Sequence, residues 1–187
     1  MNRHPHSESL MKIVPWSVIA GFSLAASGSL VAQERLVAQS GGASLTMTIE
    51  GSRQGVFAAA KGGNIAGLRF GYNVKSPRDA ASGQATGRRQ HGPVVVTKRV
   101  GTASPQIFQA LTTNEALKSV VAVVPGETGM GYTVKLRNAF VSEIKQYTEV
   151  VNGQSVVLED VSFTFQSIEV EDLGTKTVAL DDWMAAN

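Results

Sequence analysis

The chain of 187 residues is 43% hydrophobic and 17% charged, with 17 Lys and Arg against 15 Asp and Glu for a net charge of +2. That profile fits one soluble domain with a short surplus, and it excludes a polybasic nucleic-acid or membrane-surface protein. With no cysteine, disulfide scaffolds, thiolate metal sites, iron–sulfur clusters and cysteine nucleophiles are excluded as well.

The first segment has the layout of an export signal. Arg3 and Lys12 precede an uncharged apolar run from Ile13 to Ala26, and Ser27-Gly28-Ser29-Leu30-Val31-Ala32 supplies the small residues that a signal peptidase reads. The run is shorter than the roughly 20 apolar residues that span a bilayer. Residues 1–32 are therefore expected to be a signal peptide cleaved after Ala32, with Gly28 as the second choice, leaving no stable membrane anchor. Met11-Lys12 makes a more compact start than Met1. The expected location is periplasmic or extracellular, and residues 33–43, polar and Gly/Ser-tipped, read as a flexible lead-in.

The domain is expected from residue 44 to residue 187. Leu45-Thr46-Met47-Thr48-Ile49-Glu50 alternates apolar and polar residues, as a strand with one wet face does. Ala66, Leu68, Phe70, Tyr72 and Val74 alternate likewise. Lys75 to Gly92 has no period, and an eighteen-residue loop in a compact domain usually has a task or lacks order. Val94-Val95-Val96-Thr97-Lys98-Arg99 is a further strand. Ser104 as N-cap and Pro105 at the first helical position open a helix whose apolar face holds Ile107, Phe108 and Leu111, running to about Thr113, with room for a second turn through Asn114 to Lys118. Strands follow at Val120–Val124, Tyr132–Ile144 and Val156–Val170, with Asn152-Gly153 as a hairpin turn between the last two. In Val156–Val170 the apolar parity switches between Phe165 and Ile168, which predicts a bulge near Gln166 or Ser167. Val178, Leu180 and Trp183 close the chain. About seven strands and one helix make a mainly β fold, an antiparallel β-barrel or two-sheet sandwich with one flanking α-helix.

Catalytic templates find little support. His91 is the one histidine beyond the signal segment, and no nucleophile-elbow sequence accompanies it. A zinc site built on it would need three carboxylates. Glu159-Asp160, Glu169-Glu171-Asp172 and Asp181-Asp182 are the acidic groups open to a weak hydrolase or a Ca²⁺-binding module. Gly126-Glu127-Thr128-Gly129-Met130-Gly131 lacks the lysine and the spacing of a phosphate loop and reads as a hairpin turn. Arg88-Arg89 in its Gly-flanked loop is a candidate anion clasp, without the aromatic residues that stack nucleic-acid bases. No cofactor, metal or nucleic-acid partner is expected.

Charge placement says more than its total. Residues 51–99 hold nine basic side chains and one acid, a local +8, whereas residues 140–187 hold nine acids and two lysines, a local −7. If these segments occupy different faces, copies attract head to tail, with Arg78, Arg88, Arg89, Lys98 and Arg99 on one side and Glu169, Glu171 and Asp172 on the other as inter-subunit contacts. If they lie side by side, the charges neutralise within one subunit.

Three stretches together resemble the haemolysin-coregulated protein (Hcp) family of type VI secretion tube proteins. These are Val96-Thr97-Lys98-Arg99-Val100 running into Ala103-Ser104-Pro105-Gln106-Ile107-Phe108-Gln109-Ala110-Leu111, then Tyr132-Thr133-Val134-Lys135-Leu136-Arg137-Asn138-Ala139-Phe140-Val141, then Leu158-Glu159-Asp160-Val161-Ser162-Phe163-Thr164-Phe165, with Trp183 as the closing tryptophan. The resemblance covers about residues 44–183. It implies a small β-barrel with a flanking helix, assembled into hexameric rings that stack into a hollow tube. It further implies secretion-spike and effector proteins as partners and no catalytic residues, with the Lys75–Gly92 loop reaching the neighbouring ring. The export segment departs from the family pattern, whose tube proteins assemble in the cytoplasm, so the resemblance here implies an exported ring-former.

Overall fold

The computed structural model describes residues 45–126 and 131–183. The signal segment, its cleavage position Ala32, the lead-in 33–43 and the turn residues 127–130 lie outside them.

Among the described residues twelve strands and one α-helix follow in chain order: β1 (Leu45–Gly51), β2 (Gly55–Val56), β3 (Ile65–Gly67), β4 (Arg69–Gly71), β5 (Val74–Lys75), β6 (Gln90–His91), β7 (Val94–Arg99), α1 (Ser104–Thr112), β8 (Leu117–Val124), β9 (Tyr132–Val151), β10 (Gln154–Thr164), β11 (Ser167–Asp172) and β12 (Val178–Asp182). All pairings are antiparallel, in the order β1-β8-β9-β10-β7. β3 pairs with β1 and β4 with β7, and only Leu68 separates them, so one segment bridges the two ends of that order. The mainly β, antiparallel, one-helix fold expected from the alternation is what forms.

The core follows from the same alternation. Leu45, Met47 and Ile49 are buried from β1, Val94 and Val96 from β7, Val134 and Leu136 from β9, and Val161 and Phe163 from β10. The helix contributes Ile107 and Ala110. The second alternating run is broken where the chain changes sheet: Ile65 and Gly67 are buried while Ala66 is exposed, and beyond Leu68 the partly buried positions become Phe70 and Tyr72.

β9 is longer than expected because it serves two sheets. Its first half lies between β8 and β11, and its second half pairs with β10 through the Asn152-Gly153 turn. Both turn residues have positive φ, 52° and 76°, as a two-residue hairpin requires. At the change of sheet Asn138 takes a left-handed φ of 46°, and its side-chain amide donates to Gln166 at 2.8 Å. The bulge expected near Gln166 is instead a gap between β10 and β11 at Phe165 and Gln166, and the register shift falls opposite Ser162/Phe163.

The helix ends sooner than its longest reading. Asn114 adopts φ 48°, its amide donates to Leu111 and that of Glu115 to Ala110, the paired bonds of a left-handed helix stop. Lys118 is therefore in β8. Nor is Ser104 the N-cap: Ala103 holds that position without a side-chain bond, because the serine hydroxyl is drawn into a buried polar cluster. Among the described residues no helix is long and apolar enough to cross a membrane.

Candidate functional site: two appendages and the node that joins them

Two features project from this strand order. One is an arm, residues 74–91, in which β5 pairs with β6 and Arg78 bridges to Ala85. Its tip is a turn closed by Asp79, whose carboxylate accepts the amides of Ala81 and Ser82. The sequence shows no period there because neither face of so narrow a ribbon is buried. The other is a flap, the β11–β12 hairpin, whose turn is closed by Asp172 accepting the amides of Gly174 and Thr175. β12 pairs with β11 alone among the described strands. It exposes Val178 and Leu180, the latter at 64%, and Trp183 follows at 51%.

Arm and flap meet at Asp181. Arg89 reaches its two carboxylate oxygens through Nε and Nη2, and its Nη2 also donates to the Asp182 carbonyl at 3.2 Å. His91 Nε2 lies 2.7 Å from Asp181 Oδ2, and the hydroxyl of Tyr72 bonds His91 Nδ1. The His91 side chain is 4% exposed, enclosed by the rings of Phe165 at 5.8 Å and Trp183 at 5.6 Å. The Arg89 guanidinium and the His91 hydrogen bond hold the Asp181 carboxyl below its usual range against the opposing pull of desolvation. Burial, helped by the negative charge of Asp181, pushes the Tyr72 phenol up. At the arm's base the Gly92 amide donates to the Asn73 carbonyl at 3.0 Å, and any Cβ on Gly92 would collide with the Asn73 side chain.

Both ring nitrogens of His91 are engaged, Nδ1 by the Tyr72 hydroxyl and Nε2 by Asp181, so the histidine ties the arm's return strand to the flap. The adjoining cavity, about 80 Å³ and lined by Arg88, Arg89, His91 and Trp183, holds roughly two or three water volumes, well below an ordinary ligand pocket. A wider groove of about 310 Å³ runs beside Lys61, Asn64, Arg99 and Thr102.

A second polar cluster lies inside the subunit. Lys98 on β7 stands directly opposite Glu159 on β10, and the two are 2% and 1% exposed. Lys98 Nζ is 2.5 Å from Glu159 Oε1, which also accepts the Ser104 hydroxyl at 2.7 Å, while Gln146 donates to Oε2 at 2.9 Å. Desolvation works to raise the Glu159 carboxyl, but the bonds from Lys98, Gln146 and Ser104 outweigh it and hold it low. Its sequence neighbour Asp160 points to the other face of the strand and accepts from Thr97 and Tyr147. These adjacent acids therefore form no carboxylate pair. Among the described residues no three His, Asp or Glu side chains stand close enough to hold a metal ion.

The eight charged candidates divide accordingly. Lys98 is an internal ion-pair partner, buried against Glu159 within the subunit. Arg89 is held by Asp181. Glu169 lies 4.0 Å from Arg137 and Glu171 lies 3.6 Å from Lys176, while Asp172 closes the flap turn and Arg78 donates to the Gly83 carbonyl within the arm. Arg88 and Arg99 are exposed. The basic and acidic segments meet in three ion pairs, Arg69–Glu149, Arg89–Asp181 and Lys98–Glu159, so of the two arrangements open from sequence, the structure shows neutralisation within the subunit at these positions. Sequence reading named Arg89, His91, Asp181 and Trp183 separately but missed the node, and it missed Tyr72 as a member: no spacing rule links residues some 90 positions apart.

Residues 45–171 match the family described as "Type VI secretion system effector, Hcp". The chain is 37% identical over 123 residues to the "Major exported protein" of Pseudomonas aeruginosa, covering 61% of this chain and 72% of that relative. Its fold is similar to the crystal structure of an Hcp protein (TM-score 0.65, 25% identity, 74% of this chain and 98% of that one). It is likewise similar to the secreted protein Hcp3 of Pseudomonas aeruginosa (TM-score 0.57, 27% identity, 74% and 99%).

Proposed function

The chain belongs to the type VI secretion system effector Hcp family, and we propose that it works there as an exported, non-catalytic subunit that assembles with its own copies into hexameric rings able to stack into a tube. The observation that carries this reading is the flap edge. Among the described strands β12 pairs with β11 alone, and it exposes Val178 and Leu180, with Trp183 exposed just after it. A lone subunit that leaves such an edge bare invites uncontrolled pairing; a subunit whose edge meets another copy does not. The arm supports the same reading, being an 18-residue projection whose bonding serves its shape and its attachment rather than a core. Removal of residues 1–32 after Ala32 would export the chain by its own signal, and the name of the Pseudomonas relative, a major exported protein, supports the export part of this reading. Secretion-spike and effector proteins are the further partners of the proposed tube.

Light scattering on the full chain at micromolar concentration tests the reading. A mass near six times that of the chain in solution is expected, and Leu180→Lys, which places a charge on the exposed edge, is expected to raise the concentration of half-assembly by about tenfold, the effect of roughly 1.4 kcal/mol. A wild type that stays monomeric at about a hundredfold higher concentration, some two to three kcal/mol further along the binding scale, contradicts it.

A further inference from the structure

The arm's own bonds shape it without aiming it. One strand pair of two residue pairs, one bridge and the Asp79 turn hold the ribbon together, yet none of these bonds aims it at the body. What reaches the body lies at the return strand: Arg89 and His91 converge on Asp181 of the flap, and Tyr72 and the rings of Phe165 and Trp183 close around His91. Trp183 is tied in turn to the sheet corner by its amide donating to Gln166 at 3.1 Å.

One carboxylate thus receives two partners from different directions. The planar guanidinium engages both oxygens and fixes one plane, and the imidazole approaches Oδ2 and fixes a second direction. Two such constraints set the angle at which the arm leaves the body. The side chains of Arg89 and Asp181 are 32% and 22% exposed, so the bonds are partly screened from water without being sealed from it. Arg88, one residue away, makes no ion pair among the described residues and shares the cavity wall with Arg89.

We propose that Asp181 is a positioning residue: by pinning Arg89 and His91 it locks the arm to the flap in the free subunit, so that the arm is presented to a second copy in a single pose. The inference rests on the self-association reading and names what governs it. A swinging arm would lose its freedom on docking and weaken the contact, whereas an arm already fixed gives up little. Asp181 acts on association through the arm.

Hydrogen exchange and light scattering on the full chain test this together, with Asp181→Asn and Arg89→Lys as variants and Arg88→Ala as control. In Asp181→Asn the amides of residues 89–92 are expected to exchange about tenfold faster, in line with loss of a charged hydrogen-bonded pair, while amides of β9 and β10 keep their wild-type rates. The concentration of half-assembly is expected to rise by about the same factor, and Arg88→Ala should leave the exchange of residues 89–92 unchanged. Unchanged exchange at residues 89–92 overturns the latch. Faster exchange with unchanged assembly overturns the positioning role. Should Asp181→Asn also accelerate β9 and β10, Arg89→Lys, which keeps the charge and loses the fork, is judged by the same criteria. A monomeric wild type overturns the self-association reading and the arm's role toward a second copy with it, while the exchange rates still decide whether Asp181 holds the arm.

Discussion

Lys98 faces Glu159 because β7 and β10 pair in a register that sets them opposite one another, and α1 begins where it does with its Ser104 hydroxyl turned into that pair. The sequence shows a basic strand, a Ser-Pro helix start and a Glu-Asp doublet as three separate signals. Paired through the fold, they become one buried cluster in which every polar atom has a partner. Removing the cation alone leaves a buried carboxylate uncompensated, which typically costs about 3 kcal/mol or more. Lys98→Met is therefore expected to lower the unfolding free energy by about that amount in urea titrations, and adding Glu159→Leu to recover most of it. A single Lys98→Met variant as stable as the wild type would contradict this account of the cluster.

At the scale of elements, the legible parts are those with a buried face. β1, β7 and the core halves of β9 and β10 announce themselves because water on one side and core on the other impose a period of two. Asn152-Gly153 is legible because its turn demands positive φ at both positions. The elements that escape are set by tertiary contacts: the break at Leu68, where one alternating run is shared between two sheets, and the arm, which has no buried face to impose a period. The sheet corner is the subtlest case, since the parity switch after Phe165 is visible in sequence but its partner, Asn138 in the left-handed region on β9, is not. That conformation is one a β-branched side chain resists. Asn138→Gly is expected to stay within about 0.5 kcal/mol of wild type, and Asn138→Val to lose about 1–2 kcal/mol by thermal unfolding. Equal stability of the two variants would contradict a strained corner.

At the scale of the whole molecule, the near-neutral net charge of +2 covers two oppositely charged segments that the fold lays against each other. Arg69–Glu149, Lys98–Glu159 and Arg89–Asp181 consume part of each, so charge does more to fasten the sheets, arm and flap together than a reading of separate faces anticipates. The surfaces that the proposed self-assembly would use are the apolar β12 strand and the projecting arm, joined at Asp181. The central claim is that these surfaces close six copies into a ring. Class averages from electron microscopy of the purified full chain test it most directly: the account predicts closed rings with sixfold symmetry and a central hole, and particles of single subunits, or open chains that never close, would contradict it.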